Sequence, residues 1–181
     1  GAPSWPKRWY GRELPVGMGP VVDEEFERIG AVSVARTGIR TLAAATILAH
    51  GTDMHKEKFL RRILTGEDTW CQLFSEPGSG SDMAAATTRA DLKGNHWVVN
   101  GQKVWTTGAH FSDFGILLVR TNPDVEKHKG LTMFIVDMKA KGVEARPIHQ
   151  MSGGRDFNEV YFTDVRIPDK NRLGDPGMGW N

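Results

Sequence analysis

Apolar positions along the chain change their period near Trp70, falling at helical spacing before it and alternating with polar positions after it. In the first stretch Phe26, Ile29 and Gly30 follow the acidic cluster Asp23-Glu24-Glu25, which suits a helix N-terminus set against the macrodipole. The run Ala43-Ala44-Ala45-Thr46-Ile47-Leu48 predicts a second, well-buried helix, and Gly51 is placed to end it. Thr52 or Asp53 is placed to cap a third helix, which passes through Phe59, Leu60 and Ile63-Leu64 to Gly66. Three short helices with tight joins are expected.

Beyond Trp70 the pattern predicts strands. Trp97-Val98-Val99 and Lys103-Val104-Trp105 flank Asn100-Gly101, a pair that suits a type I′ hairpin because both central residues tolerate positive φ. Further strands are predicted over 115–119, 131–136, 143–146 and 159–162, separated by Gly, Pro, Asn and Asp. Strands in succession without intervening helices make an antiparallel barrel or sandwich. The expected fold class is therefore α+β, a short N-terminal α-helical segment followed by an antiparallel β-barrel or sandwich domain. The tail from Asp175 to Asn181 reads as the entrance to another element.

Composition narrows the function classes. With 23 basic and 22 acidic residues the formal charge is +1, no general field for nucleic acid exists, and no basic run is interleaved with aromatics. The single cysteine, Cys71, cannot form an internal disulfide, which fits a reducing compartment. No window approaches about 18 uninterrupted apolar residues, so membrane insertion is not expected. The N-terminus lacks the basic-then-apolar plan of a signal peptide, and a soluble, intracellular protein is expected. His50 and His55 lie off one helical face, and the other histidines show no ligand spacing, so no metal site is expected.

The segment from Gln72 to Asp82, QLFSEPGSGSD, carries the candidate chemistry. Gly78 and Gly80 remove Cβ atoms that would hold a ligand off the backbone, while Ser75, Ser79 and Ser81 offer hydroxyls and N–H groups to phosphates or a polar ring. A polar surface loop is the plainer alternative. Glu76 sits beside Pro77 and loop N–H groups, which suits a structural acceptor, and no catalysis is assigned to it. The run Asp82-Met83-Ala84-Ala85-Ala86 suits a one-turn helix capped by Ser81 or Asp82.

Taken in order, the helices, FSEPGSGSD, NGQKVWTTGAH, GLTMFIVDM and FNEVYFTDVRIPDKNRLG resemble the middle of the acyl-CoA dehydrogenase family of flavoproteins. The similarity covers most of residues 70 to 181, and the helices from Val21 to Thr65 sit where the family's N-terminal helical domain ends. It implies part of an N-terminal helical domain over 1–69, the middle β-barrel domain over 70–174, and over 175–181 the start of a truncated C-terminal helical domain, the family's helical bundle being otherwise missing. Leu73 and Phe74 are bulkier than the family's residues before the Ser/Thr-Glu-Pro, and Arg8-Trp9-Tyr10-Gly11-Arg12 differs from its glycine-paired turn.

By that resemblance, residues 72 to 81 lie along FAD, with Gln72, Leu73, Phe74, Ser75, Gly80 and Ser81 cofactor-binding. Ser75 matches a residue that bonds the polar edge of the isoalloxazine, and Ser81 one that approaches both FAD and the CoA thioester arm of the substrate. Trp105, Thr106 and Thr107 match the second flavin segment, with the indole near the ring and the Thr107 hydroxyl toward the reactive nitrogen. From pattern alone, Trp105 also suits a strand core, and Thr106 and Thr107 also suit ordinary strand positions.

The implied reaction is α,β-dehydrogenation of an acyl-CoA, with electrons passed to an electron-transfer flavoprotein, in a homo- or hetero-oligomer of the cytoplasm or mitochondrial matrix. The family's catalytic glutamate belongs to the C-terminal helical domain, so no catalytic residue is assigned here. The 181-residue chain alone is expected to bind FAD weakly or not at all and to show no turnover. Alternatives are an acyl-CoA oxidase on the same scaffold, a non-catalytic partner subunit of a mixed acyl-CoA dehydrogenase, and a plain β-barrel binding module.

Overall fold

The computed structural model describes residues 2–31 and 38–180. The chain divides into two compact units, Gly1–Asp68 and Thr69–Asn181.

In the first unit, α1 runs Gly19–Arg28, α2 Ile39–His50 and α3 Asp53–Thr65. The first helix corrects the reading of its start. Pro20 occupies the first turn, where a fixed φ and a missing N–H fit a helix entrance, so Asp23, Glu24 and Glu25 fall beyond the first turn. Residues 32–37 lie outside the described residues, and with them part of the join between α1 and α2. The second helix ends where Gly51 donates its N–H to the Ile47 carbonyl; a Cβ there would meet that oxygen at 2.5 Å. Thr52 caps α3 reciprocally, its hydroxyl accepting from the His55 N–H while its own N–H donates to His55 Nδ1 at 3.1 Å. Gly66 closes α3 in the left-handed region at φ 76°. Ala43, Ala44 and Ile47 of α2 and Phe59, Leu60 and Ile63 of α3 are buried.

The second unit is one eight-stranded, mostly antiparallel sheet. Its strands are β1 Trp70–Leu73, β2 Arg89–Lys93, β3 His96–Thr107, β4 Phe114–Arg120, β5 Leu131–Asp137, β6 Val143–Pro147, β7 Phe157–Pro168 and β8 Arg172–Leu173. The order is β6-β7-β3-β2-β4-β5-β8, with β1 pairing β4. Only β1 with β4 and β2 with β4 pair in parallel. Alternation sends Leu117 and Val119 of β4 into a main core with Leu73, Val99, Phe134, Val160 and Phe162. Leu118 joins Leu131 and Ala86 in a second cluster, against which Phe74, Met83 and Met133 pack.

Two expectations fail in this unit. Asn100-Gly101 is no hairpin turn; β3 runs straight through it, pairing β2 on one side and β7 on the other. The turn between β2 and β3 falls at Gly94-Asn95, with Gly94 at φ 62°. The tolerance of Gly101 for positive φ serves a register shift against β7 instead, at φ 147°, where the backbone passes so close to Thr88 that a Cβ would meet its Oγ1 at 2.6 Å. The short helix is a 3-10 turn, Met83–Ala85, without a side-chain cap. The Asp82 carboxylate takes Lys127 Nζ at 2.8 Å, and the Asp82 carbonyl accepts the Ala85 N–H of the turn.

Gly101→Ala is expected to lose about 2 kcal/mol of stability in urea or thermal unfolding, from the combined φ strain and overlap with Thr88. Gly78→Ala, where nothing lies within 4 Å of the added Cβ, should stay within about 0.5 kcal/mol.

Candidate functional site

The loop after β1 is fixed by its backbone and by one buried charge pair. Leu73 is fully buried in the main core, whereas Gln72 is exposed, and Phe74 and Ser75 are half-buried. The Ser75 carbonyl accepts the Val104 N–H at 2.9 Å, which joins the loop to β3. Glu76 and Ser79 exchange backbone bonds at 2.8 and 3.1 Å, leaving Pro77 and Gly78 at the exposed tip of a tight turn. Gly80 and Ser81 are exposed and lead to Asp82. Among the described residues nothing approaches where a Cβ of Gly78 or Gly80 would stand, so their packing does not call for glycine at either position.

Glu76 is a structural acceptor, as its neighbours predicted. Its carboxylate receives Lys103 Nζ at 2.8 Å, the Thr87 N–H at 2.6 Å, the Thr87 hydroxyl at 2.8 Å and the Thr88 N–H at 2.9 Å. Lys103 Nζ also donates to the Phe74 carbonyl at 3.0 Å. The side chains of the pair are 0% and 3% exposed. Burial alone would raise the Glu76 pKa, but the Lys103 charge and the hydrogen bonds from Lys103, Thr87 and Thr88 outweigh it and bring it from 4.5 down to about 2. Burial pulls the Lys103 pKa down, against the opposing pull of Glu76. Cys71, buried beside this loop in sequence, is pushed up to about 12 by desolvation and is an inert thiol.

The other candidate segment is the end of β3. Its register against β7 shifts between Lys103 and Thr106, and Trp105 within that shift stands at φ 59°, in the left-handed region. The strand-core reading of Trp105 is corrected by this geometry. The residue is 61% exposed, its ring edge-on to Phe157 at 6.3 Å. Thr106 is 2% exposed and, among the described residues, its hydroxyl has no hydrogen-bond partner, while Thr107 is exposed. The Ser79 hydroxyl is likewise buried without a partner. Asn158 holds this segment from β7, donating to the Thr106 carbonyl at 2.9 Å, and its own carbonyl oxygen meets His110 Nδ1 at 3.0 Å.

The structure thus joins the Gln72–Ser75 segment to the base of Trp105-Thr106-Thr107 through Ser75 to Val104 and Phe74 to Lys103. Gly80 and Ser81 continue instead toward the Asp82–Lys127 ion pair. Beside that pair a cleft of about 430 Å³ is lined by Ala86, Thr87, Arg120, Val125 and Lys127 among others. Arg120 donates to the carbonyls of Ala84, Ala86 and Lys127, tying both rims of the cleft, and among the described residues it has no carboxylate partner. Sequence reasoning missed Lys103, Asn158 and Arg120. A signal existed for Lys103, which shares the inward parity of Trp97 and Val99 on β3, where a lysine needs a buried acid. Among the described residues no three His, Cys, Asp or Glu side chains cluster as a metal site, and no helix is long and apolar enough to cross a membrane.

This pairing of a helical unit with an eight-stranded sheet is that of the acyl-CoA dehydrogenase N-terminal and middle domains. Residues 1–67 match the family described as "Acyl-CoA dehydrogenase, N-terminal domain" and residues 71–165 match "Acyl-CoA dehydrogenase, middle domain". The chain belongs to the acyl-CoA dehydrogenase family. It is 44% identical to acyl-CoA dehydrogenase FadE34 of Mycobacterium tuberculosis over 99% of this chain and 25% of that protein. It is 40% identical to acyl-CoA dehydrogenase IpdE1 of the same organism over 98% of this chain and 46% of that one. Among solved structures, the ChsE4-ChsE5 complex from Mycobacterium tuberculosis superimposes with a TM-score of 0.82 at 38% identity, covering 99% of this chain and 46% of the matched chain. The chain spans between a quarter and about half the length of the relatives it matches.

A pH prediction follows from Glu76. Because its folded pKa lies below the unfolded 4.5, the folded state binds fewer protons, so the stability it lends is complete above about pH 4.5 and is lost as pH falls through about 2. Asp113, held well below the usual range by hydrogen bonds from Lys139 and Thr69, acts in the same direction. Unfolding free energy measured from neutral to acid pH should fall across this window, and Glu76→Gln should flatten part of the slope.

Proposed function

We propose that the full-length protein is an FAD-dependent acyl-CoA dehydrogenase, that it oxidises the α,β bond of an acyl-CoA thioester, and that an electron-transfer flavoprotein receives the electrons. The observation that carries this reading is Trp105, a large aromatic held exposed in a strained backbone conformation beside the Ser75 loop. Such a side chain gives up burial and backbone ease together, which is the mark of a surface kept for a flat ligand. A buried Thr106 hydroxyl without a partner among the described residues, and the open space around Gly78 and Gly80, fit the same occupant.

When bound, FAD supplies the hydride acceptor. In this reading Trp105 would give the ring system an apolar face, and the exposed Thr107 hydroxyl would donate to the ring's reactive edge. The Leu73 side chain is committed to the core, so it and its neighbour Phe74 contribute backbone, while Gln72 and Ser75 can offer side-chain groups as well. Donors along this loop favour electron density gathering on the ring. Gly80 would border the flavin, and Ser81 would border both the flavin and the thioester arm. The general base that removes the α proton is assigned to no residue of this chain. The complex of ChsE4 with ChsE5 supports an oligomer, homo- or heteromeric, as the working form.

Full-length protein should carry a yellow flavin spectrum and bleach anaerobically on addition of an acyl-CoA from a panel including bulky steroid-derived thioesters. Protein that neither retains nor takes up FAD would overturn this reading. Peroxide accumulating in air would favour the oxidase alternative. Trp105→Gly should bind FAD about tenfold more weakly while its stability holds or rises by about 1 kcal/mol, because glycine relieves the left-handed strain.

A further inference from the structure

The Lys103–Glu76 pair is buried and joins the loop to β3. Lys103 Nζ lies 3.0 Å from the Phe74 carbonyl oxygen, and the N–H of that same peptide group belongs to Ser75. The Glu76 carboxylate spreads its remaining acceptor capacity over Thr87 and Thr88, away from that peptide. Three donors beside Lys103 therefore hold Glu76 ionised, and among the described residues Glu76 is the only carboxylate paired with Lys103.

We propose that Lys103 is a positioning residue for the flavin: its ammonium, donated to the Phe74 carbonyl, polarises the Phe74–Ser75 peptide and raises the reduction potential of the bound cofactor. Hydrogen bonds in series strengthen one another, so a cation on the carbonyl makes the amide N–H a better donor. A low-dielectric interior lets the charge act with little screening. The inference rests on the proposed FAD site and adds to it the residue that sets the loop's electrostatics. Lys103 itself is fully buried, so it acts through the Ser75 peptide and by its field rather than by touching substrate.

The test is a redox titration of full-length, FAD-loaded protein, with all variants compared at one pH and ionic strength. Lys103→Met should shift the oxidised-to-reduced equilibrium about tenfold toward oxidised flavin, ~30 mV for a two-electron couple, because the Glu76 charge is left alone. Glu76→Gln should shift it the other way, since the cation remains. The double variant, which replaces the ion pair with neutral groups, should fall between them. Flavin content and thermal melting are read for each variant. Opposite signs support the proposal; a loosened loop would instead lower flavin content in every variant without reversing sign. Potentials that are unchanged or move together overturn the role of Lys103 while leaving the flavin reading intact. If Lys103→Met fails to fold, the direction for Glu76→Gln decides by itself. Wild-type protein without any flavin overturns both readings.

Discussion

The ion pair between Lys103 and Glu76 governs how the second unit presents its loop. Removing two charges from water is unfavourable by several kcal/mol each, so a buried pair persists only where geometry and extra hydrogen bonds offset the loss. Here the offset is visible. Glu76 has four donors, and Lys103 has both a carboxylate and a carbonyl. An apolar pair of similar volume would pack as stably, but it would not specify which carbonyl faces which strand position. The charges do specify it. They fix Phe74 over Lys103, set Ser75 against Val104, and so define where the Glu76–Ser79 turn leaves the sheet.

Irregularity concentrates just beyond this anchor. The register of β3 against β7 shifts immediately after Lys103, and the next residue but one is Trp105 in the left-handed region. An irregular strand next to a slack loop would relax; next to a buried pair it is held. Asn158 restrains the far side through the Thr106 carbonyl, and Gly108 donates to the Asp156 carbonyl. The distorted residues are therefore bracketed by hydrogen bonds on both sides, which is how a stable sheet keeps a local conformation that its own sequence disfavours.

How much of this was legible depends on whether chemistry or only conformation was at stake. The helices over α2 and α3 were readable because Gly51, Thr52 and Gly66 are boundary residues with single mechanisms, and the longer strands because Val, Ile and Leu alternate or run on as in β4. The second strand, Arg89–Lys93, was not: four of its five residues are at least partly exposed and only Ala90 is buried, so no apolar rhythm marks it. Without β2, Asn100-Gly101 was the natural place for a turn. Its real use depends on Thr88 lying beneath Gly101, a tertiary fact invisible in local pattern. The loop stood out by its glycines and serines and the Trp-Thr-Thr segment by family resemblance, while the lysine that joins them was overlooked because its acid partner lies 27 positions earlier.

The energetics of the Trp105 edge bear directly on the proposed flavin surface. A tryptophan in the left-handed region gives up about 1–2 kcal/mol of backbone energy relative to glycine. Leaving most of a large indole in water forgoes burial of about the same size again. A buried hydroxyl without a partner, as at Thr106, costs about 1–3 kcal/mol. Against a domain stability of about 5–15 kcal/mol these are heavy concessions for one short segment. None is relieved by packing among the described residues; a partner flat on one face and polar at its edge would cover the indole and so offset the backbone strain that remains. The coincidence of three such concessions within two consecutive residues is what separates this strand end from an ordinary exposed aromatic.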